Sequence, residues 1–443
     1  MKISISEHFT YRKLLLFTLP SICMMIFSSI YGVVDGFFVS NFAGETEFAA
    51  VNFIMPFLMM LGGIGFMFGT GGSALVAKTL GEGNKEKANK NFSLIVYSSI
   101  ITGIVVMLVG QCFLRPVAEL LGAKGELLEK CVTYGRIILA ALPAFVLQME
   151  FQSLFVTAEK PKLGLAVTIA SGVTNMILDA LLVGAFSGGL IGAALATAIS
   201  QVVGGVIPII YFASNNSSLF KLQKTNFDGG VLLKTCTNGS SELMSNISMS
   251  IVGMLYNVQL LKYAGENGVS AYGVLMYAGF IFLSAFIGYS VGIAPIVGFN
   301  FGSGNKDELK GLFKKSMFII SVGAVFMVLS CYLFSQPLSE LFIKENSALL
   351  EMTCDAFKIY ALVFLFAGFA IFSSGFFTAL NDGFTSALIS FLRTALFQTA
   401  AVIFMPMILG TVGIWWSAVA AEAMAVAVSA FFIVFKRNKY GYI

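Results

Sequence analysis

Apolar runs of about twenty residues, separated by short polar stretches, recur along nearly the whole of this 443-residue chain. A run of that length crosses ~30 Å of hydrocarbon as a helix. Twelve are legible, at roughly 14–36, 52–77, 93–113, 134–157, 163–184, 189–213, 240–261, 269–297, 314–334, 355–380, 384–408 and 411–435. Little chain is left over for a soluble domain. The pattern predicts an all-α integral membrane protein with twelve transmembrane helices. The first run follows Lys2, Arg12 and Lys13 as a signal peptide would, but it is too long and lacks a small-x-small cleavage site.

Composition agrees: 57% of residues are hydrophobic and 11% charged, too few polar groups to cover a soluble surface. Charge adds an orientation. Alternate loops counted from the N-terminus hold 19 of the 27 Lys and Arg, so the positive-inside tendency puts both termini in the cytoplasm. A net charge of +4 needs no nucleic acid to explain it. The six cysteines are scattered, none as CxxC, and read as small buried hydrophobes.

Self-similarity sharpens the organisation. "LGEGNKEKANKNF" (80–92) and "FGSGNKDELKGLF" (301–313) share Gly81/Gly302, Gly83/Gly304, Asn84/Asn305, Lys85/Lys306 and Phe92/Phe313, all 221 residues apart. The same ungapped offset pairs Ala43-Gly44 with Ala264-Gly265, Pro116 with Pro337 and Gly192 with Gly413. The chain is a duplicated six-helix unit, and six being even, both copies enter the membrane from the same side as a parallel repeat. The expected division is an N-terminal lobe over 1–213, a polar cytoplasmic linker over 214–230 and a C-terminal lobe over 231–443. Two such bundles enclose a central cleft, the usual place for a transported substrate.

Few energy sources fit. "GGSALVAKT" (71–79) resembles a phosphate-binding loop but has Ala77 in place of the second glycine and ends a membrane helix. ATP hydrolysis is therefore not expected, nor is an ATPase partner. The sole histidine, His8, precedes the first span, so intramembrane Ser-His, Cys-His and HExxH chemistry all lack their base. An enzyme is not expected. An ion gradient remains as the driving force.

Six charged residues fall well inside the spans: Asp35, Glu150, Asp179, Glu242, Arg393 and Glu422. Such groups are functional candidates by default. In span 5, Asn175 and Asp179 stand at i,i+4 and share a face, as do Ala193, Thr197 and Gln201 in span 6. At 1.5 Å per residue, Asp35, Asp179 and Thr197 lie within about one turn of the same depth. Two carboxylates, an amide and a hydroxyl suit a hard monovalent cation. They equally suit proton exchange, since neighbouring carboxylates in a dry place compete to stay charged. At the repeat offset Asp35 becomes Tyr256 and Thr197 becomes Ala418, so the constellation belongs to the first half alone. Capping of helix ends in the headgroup region is the plainer alternative. Arg393 and Glu422 both lie near mid-span, open to reading as a buried ion pair or as substrate contacts. Glu150 has no evident role. Candidates to line the cleft are Tyr31, Gln148, Glu242, Arg393 and Glu422.

The sequence resembles the multidrug and toxic compound extrusion (MATE) family over essentially its whole length. The likeness rests on "YGVVDGFFVSNFAG", "GGSALVAKTLGEGNKEKA", "TNMILDALLV" with "GLIGAALATAIS", and "APIVGFNFGSGN", in this order and at this repeat spacing. It implies two six-helix lobes around a V-shaped cleft, and export of amphipathic, often cationic small molecules against Na+ or H+ by alternating access. It further implies that Asp35, Asn175, Asp179 and Thr197, with the Ala193 carbonyl, form the coupling-ion site; in some members helix 1 bends at a proline when the aspartate is protonated, and Pro20 matches that proline. Unlike some relatives, span 10 has no acid in its interior, while Glu242 matches the acidic position of helix 7. No cofactor beyond the coupling ion is expected, and a monomer in the bacterial inner membrane is. A lipid-linked oligosaccharide flippase, or an exporter of one dedicated metabolite, is the alternative. A major-facilitator transporter would carry an Asp-Arg signature in its 2–3 loop, which "GEGNKEKANK" lacks.

Overall fold

The computed structural model describes residues 3–342 and 347–443; Lys2 lies outside them. In chain order the helices are α1 (Tyr11–Phe38), α2 (Glu45–Gly81), α3 (Lys85–Leu120), α4 (Gly125–Ala140), α5 (Leu142–Thr157), α6 (Pro161–Leu178), α7 (Gly189–Ala213), α8 (Gly229–Gly302), α9 (Lys306–Phe342), α10 (Ser347–Ala361), α11 (Val363–Ala379), α12 (Gly383–Phe391), α13 (Gln398–Leu409) and α14 (Thr411–Tyr440). Three π turns, at Val39–Ala43, Asp179–Ala185 and Leu392–Phe397, extend α1, extend α6 and join α12 to α13. Hydrocarbon offers the backbone no hydrogen-bond partner, so every span closes its own ladder as a helix.

Among the described residues, nine single helices are long and apolar enough to cross a membrane, and α4–α5 and α10–α11 do so as pairs bent by 58° and 44°. Residues 229–264 of α8 stand where the seventh run predicts a span but fall outside that count, so eleven spans are found where the sequence predicts twelve. Those residues are more polar, carrying Asn238, Glu242, Asn246 and several serines, and α8 breaks after them at Gly265. The helices outrun the apolar segments: α2 has 37 residues, about 55 Å at 1.5 Å per residue. Polar sequence such as "KEKANK" continues the helix beyond the hydrocarbon, because its amides bond within the helix whatever the surroundings.

The repeat is visible in local geometry. α3 and α9 each begin with an asparagine whose Oδ1 accepts a backbone N–H three residues on, Lys87 for Asn84 and Glu308 for Asn305. The glycine before each cap, Gly83 and Gly304, sits at positive φ (83° and 71°), a region costly for other residues. The bends at Ala141 and Leu362 fall at repeat-related positions as well.

The two halves meet chiefly at the end that carries both termini and the basic loops. There α2 and α8 cross so closely that a Cβ on Gly302 would lie 2.1 Å from the Lys78 carbonyl oxygen, and one on Gly81 2.1 Å from that of Phe299. Asn381 donates to the Ala74 carbonyl at 3.2 Å and accepts from Asn238 at 2.9 Å. An N-terminal arm adds a strap. The amide of Ile5 donates to Glu159 and that of Phe9 to Glu308, both at 2.9 Å, and both side chains are buried.

Helix α1 divides its packing between the halves. Leu14, Phe17, Met24 and Met25 belong to one buried cluster with Ile293, Val297, Leu309 and Leu312 of the second half. Farther along, Phe27 and Tyr31 rest on Gly172 of α6 in the first. Pro20 lies within the stretch that faces α8, and α1 runs through it as a continuous helix.

At the same basic end the C-terminal tail docks on the α11–α12 turn. Asp382 accepts from Lys436 at 2.6 Å and Tyr440 at 2.8 Å. Burial pushes its carboxyl up, but these bonds and one from Thr385 outweigh it and hold the pKa below the ordinary 3.8. A depressed folded pKa gives stability that is complete above the unfolded value and lost as pH falls through the folded one. Asp382→Asn should therefore lower the melting temperature at pH 7 by the equivalent of about 1.5–3 kcal/mol. The deficit should shrink as the pH of the melt falls below ~3.9, the ordinary Asp value. Separately, Gly302→Ala should cost about 1–3 kcal/mol by wedging α2 from α8, read as a lower melting temperature of the detergent-solubilised protein.

Candidate coupling-ion site

Asp35 stands one turn before the π turn that ends α1, and Asp179 opens the one that ends α6. These two irregular turns pack on each other and on α7. A π turn inserts an extra residue and re-aims the side chains around it, and the third such turn holds Arg393. Each π turn thus coincides with, or adjoins, an intramembrane charge.

The expected residues come together. Thr197 Oγ1 on α7 donates to Asp35 Oδ1 at 3.3 Å. Asn175 and Asp179 lie within side-chain hydrogen-bonding reach of the same carboxyl. Asp35 is 9% exposed, Asn175 2% and Asp179 0%. Both oxygens of Asp179 and Oδ1 of Asn175 have no protein donor. No Lys, Arg or His among the described residues is in ion-pair range of either acid. Ala193, one turn from Thr197, is buried. Its only oxygen is the backbone carbonyl, already engaged in the α7 ladder with one lone pair left. The cluster is a cage of buried oxygens with surplus negative charge, able to hold one small hard cation or one proton.

Sequence reasoning missed Tyr134. It is fully buried on α4 with an unpaired hydroxyl, within reach of Thr197 and facing both acids. Its signal was weak, a lone tyrosine near a span's start with no polar stripe around it.

The repeat-related place in the second half is neutral and closed on itself. Tyr256 stands where the first half has Asp35. Its hydroxyl donates to Gln398 Oε1 at 3.0 Å and lies 2.9 Å from Ser417 Oγ, while its ring stacks on Tyr272 with centroids 5.0 Å apart. Nothing there is left wanting a cation.

The other candidates separate. Arg393 Nε donates to both Glu422 oxygens, at 3.0 and 2.8 Å, and Glu242 faces Arg393 from α8 without an ion pair. Glu422 and Gln148 are buried inside their own halves, so neither lines an open cleft here. Tyr31 packs on Phe27 and receives a 3.4 Å bond from Gln148, which turns its hydroxyl into the first half. Glu150 is fully buried and accepts a hydrogen bond from Ser99 on α3, on a different side of α5 from the cage.

Comparison with known proteins now bears on this arrangement. The MatE family model matches twice in succession, over residues 20–181 and 243–404. The chain belongs to the MatE family. The two matches fall one in each repeat. The multidrug export protein MepA of Staphylococcus aureus (strain MRSA252) is 26% identical over 430 residues, covering 96% of this chain and 93% of its own. MepA of Staphylococcus saprophyticus is 25% identical over 427 residues, with the same coverage. A crystal structure of a MATE protein in complex with MaL6 superposes with a TM-score of 0.93 at 20% identity, over 98% of each chain. An outward-facing MATE family transporter of the MOP superfamily gives 0.92 at 20% identity, again over 98% of each. At that identity the likeness is one of fold. This MatE protein is thus a multi-pass membrane transporter with the MATE fold.

A buried carboxylate without a donor is costly. Asp179→Asn should therefore raise the melting temperature at pH 8 in sodium-free buffer, by the equivalent of about 1–3 kcal/mol. It should also abolish any further stabilisation by added Na+. An unchanged or lower melting temperature would mean that the acid already has a partner.

Proposed function

We propose that this MatE protein is a secondary antiporter that exports amphipathic, chiefly cationic small molecules in exchange for Na+ or H+ bound between Asp35 and Asp179. The observation that carries the reading is the pair of buried carboxylates with no cationic partner among the described residues, one of them, Asp35, on a helix whose other end is packed in the opposite half. The name of the MepA relatives, multidrug export protein, supports the substrate class.

In this reading residues 1–213 and 231–443 are two lobes joined by the linker at 214–230, and the basic end faces the cytoplasm of a bacterial cell. The lobes touch at that end, as in an outward-facing state. A cation entering from outside neutralises the acids and lets α1 repack against α6, α7 and the π turns. The basic-end half of α1 is held by the second lobe, so the change is passed to the lobe interface and substrate is released outward. Discharge of the cation inward resets the cycle as the lobes rock. No enzymatic step, cofactor or ATPase partner enters, and one chain suffices. A pyrophosphate-carrying flippase fits less well, because the intramembrane cation Arg393 is already engaged by Glu422.

The test is ethidium efflux from pump-deficient bacteria, with and without added Na+. Wild type should extrude ethidium, and Asp35→Asn should lose at least about tenfold in initial rate at equal expression. Dependence of the wild-type rate on Na+ identifies the ion. Normal efflux by both Asp35→Asn and Asp179→Asn would end the proposal.

A further inference from the structure

Beneath the carboxylates a polar stripe continues down the inside of α6. Asp179, Asn175, Ser171 and Thr168 follow at helical spacing on one face, and all are buried. Across from them stand Tyr31 of α1 and Gln148 and Gln152 of α5, the two glutamines one turn apart. Gln148 Nε2 donates to Ser171 Oγ at 3.2 Å and to Tyr31 Oη at 3.4 Å, and Ser171 donates to the Ser200 carbonyl at 2.7 Å. The amide oxygens of Gln148 and Gln152 are buried and have no donor. One turn nearer the basic end lies a small space of about 10 Å³, lined by Gln148, Gln152, Thr168, Met24 and Gly204 among others, close to what one water needs. From Thr168 to the start of α6 at Pro161 is only about 10 Å more.

Core packing does not account for these residues. Leucine would fill the glutamine positions without burying an unpaired oxygen, which is costly. A drug-sized ligand does not fit so small a space. No acid lies along the stripe below Asp179, since Glu150 is turned to Ser99 on α3. What the stretch offers is a line of neutral oxygens leading from the acidic cage toward the basic end.

We propose that this line is the route by which the coupling cation leaves Asp35 and Asp179, and that Gln148, Gln152 and Thr168 form a neutral-oxygen station holding it together with one water. Sodium takes amide and hydroxyl oxygens as ligands. A proton travels on the water as hydronium, leaving a carboxylate behind, with the amide oxygens accepting its hydrogen bonds. Neutral ligands bind a cation more weakly than the cage above, and a site on a pathway must release what it takes. The inference rests on the coupling role of Asp35 and Asp179.

The full-length protein reconstituted in proteoliposomes tests it, with ethidium transport driven by a Na+ or a pH gradient and ethidium binding measured in detergent. Gln152→Leu should slow ethidium turnover about tenfold. It should leave ethidium affinity, and the weakening of that affinity by Na+ or acid, within about twofold of wild type. Thr168→Val, which removes one hydroxyl at constant shape, should slow turnover in the same direction and serves should Gln152→Leu fail to fold. Normal turnover in both variants overturns the route. Turnover lost in step with ethidium affinity also overturns it and makes Gln152 a substrate contact. Asp35→Asn, run in parallel, should lose the cation sensitivity of ethidium binding that Gln152→Leu keeps. If Asp35→Asn behaves as wild type, the coupling reading fails on its own account.

Discussion

Two carboxylates pressed together in a dry interior, with no lysine, arginine or histidine among the described residues in ion-pair range, repel each other's charge at close quarters. Asp35 and Asp179 are in that position, and much of the first half is arranged around them. Two π turns aim the acids at each other, α7 contributes one hydroxyl, and Tyr134 closes the side toward α4. Deep burial strengthens any attraction to a cation, because water is absent to screen it. It also makes the unoccupied, doubly ionised state expensive. In the proposed cycle the same geometry supplies both the affinity for a cation and the need to discharge it.

Helix α1 belongs to neither half alone. Its basic-end half shares a core with α8 and α9, while the half bearing Asp35 rests on α6. A change in packing around Asp35 acts at one end of a helix whose other end is anchored across the interface. At Gly81 and Gly302 that interface brings backbone against backbone, which leaves little room to absorb a shift. Small displacements at close-packed surfaces are passed on rather than dissipated. The second half shows the contrast: Tyr256, Gln398 and Ser417 satisfy one another, and Arg393 is matched by Glu422.

Below the cage the polarity continues without charge. Tyr31, Gln148, Ser171, Gln152 and Thr168 form a ladder in which donors are used and several acceptors are not. Acid above and neutral oxygen below gives a cation a strong site followed by a weaker one. That order suits release toward the basic end better than retention.

Much of this was legible in the sequence, and for a definite reason. Hydrocarbon leaves a chain few options, so the lengths of apolar runs determined eleven of the twelve expected helical spans, and the repeat at 221 residues determined that the two halves share one plan. Depth along each helix is nearly fixed by residue count, which is why Asp35, Asp179 and Thr197 could be set at one level, with Asn175 one turn from Asp179 on the same face, before any contact was seen. Rotation about each helix and the partners across it were not determined that way. Only the tertiary structure decided that Tyr134 faces the cage and that Glu150 turns to Ser99. It alone decided that Gln148 and Glu422 are buried within their halves and that α1 divides its packing between them. Those choices depend on π turns, bends and glycine crossings. They re-aim side chains by a fraction of a turn through contacts with residues distant in sequence, and no local pattern encodes them.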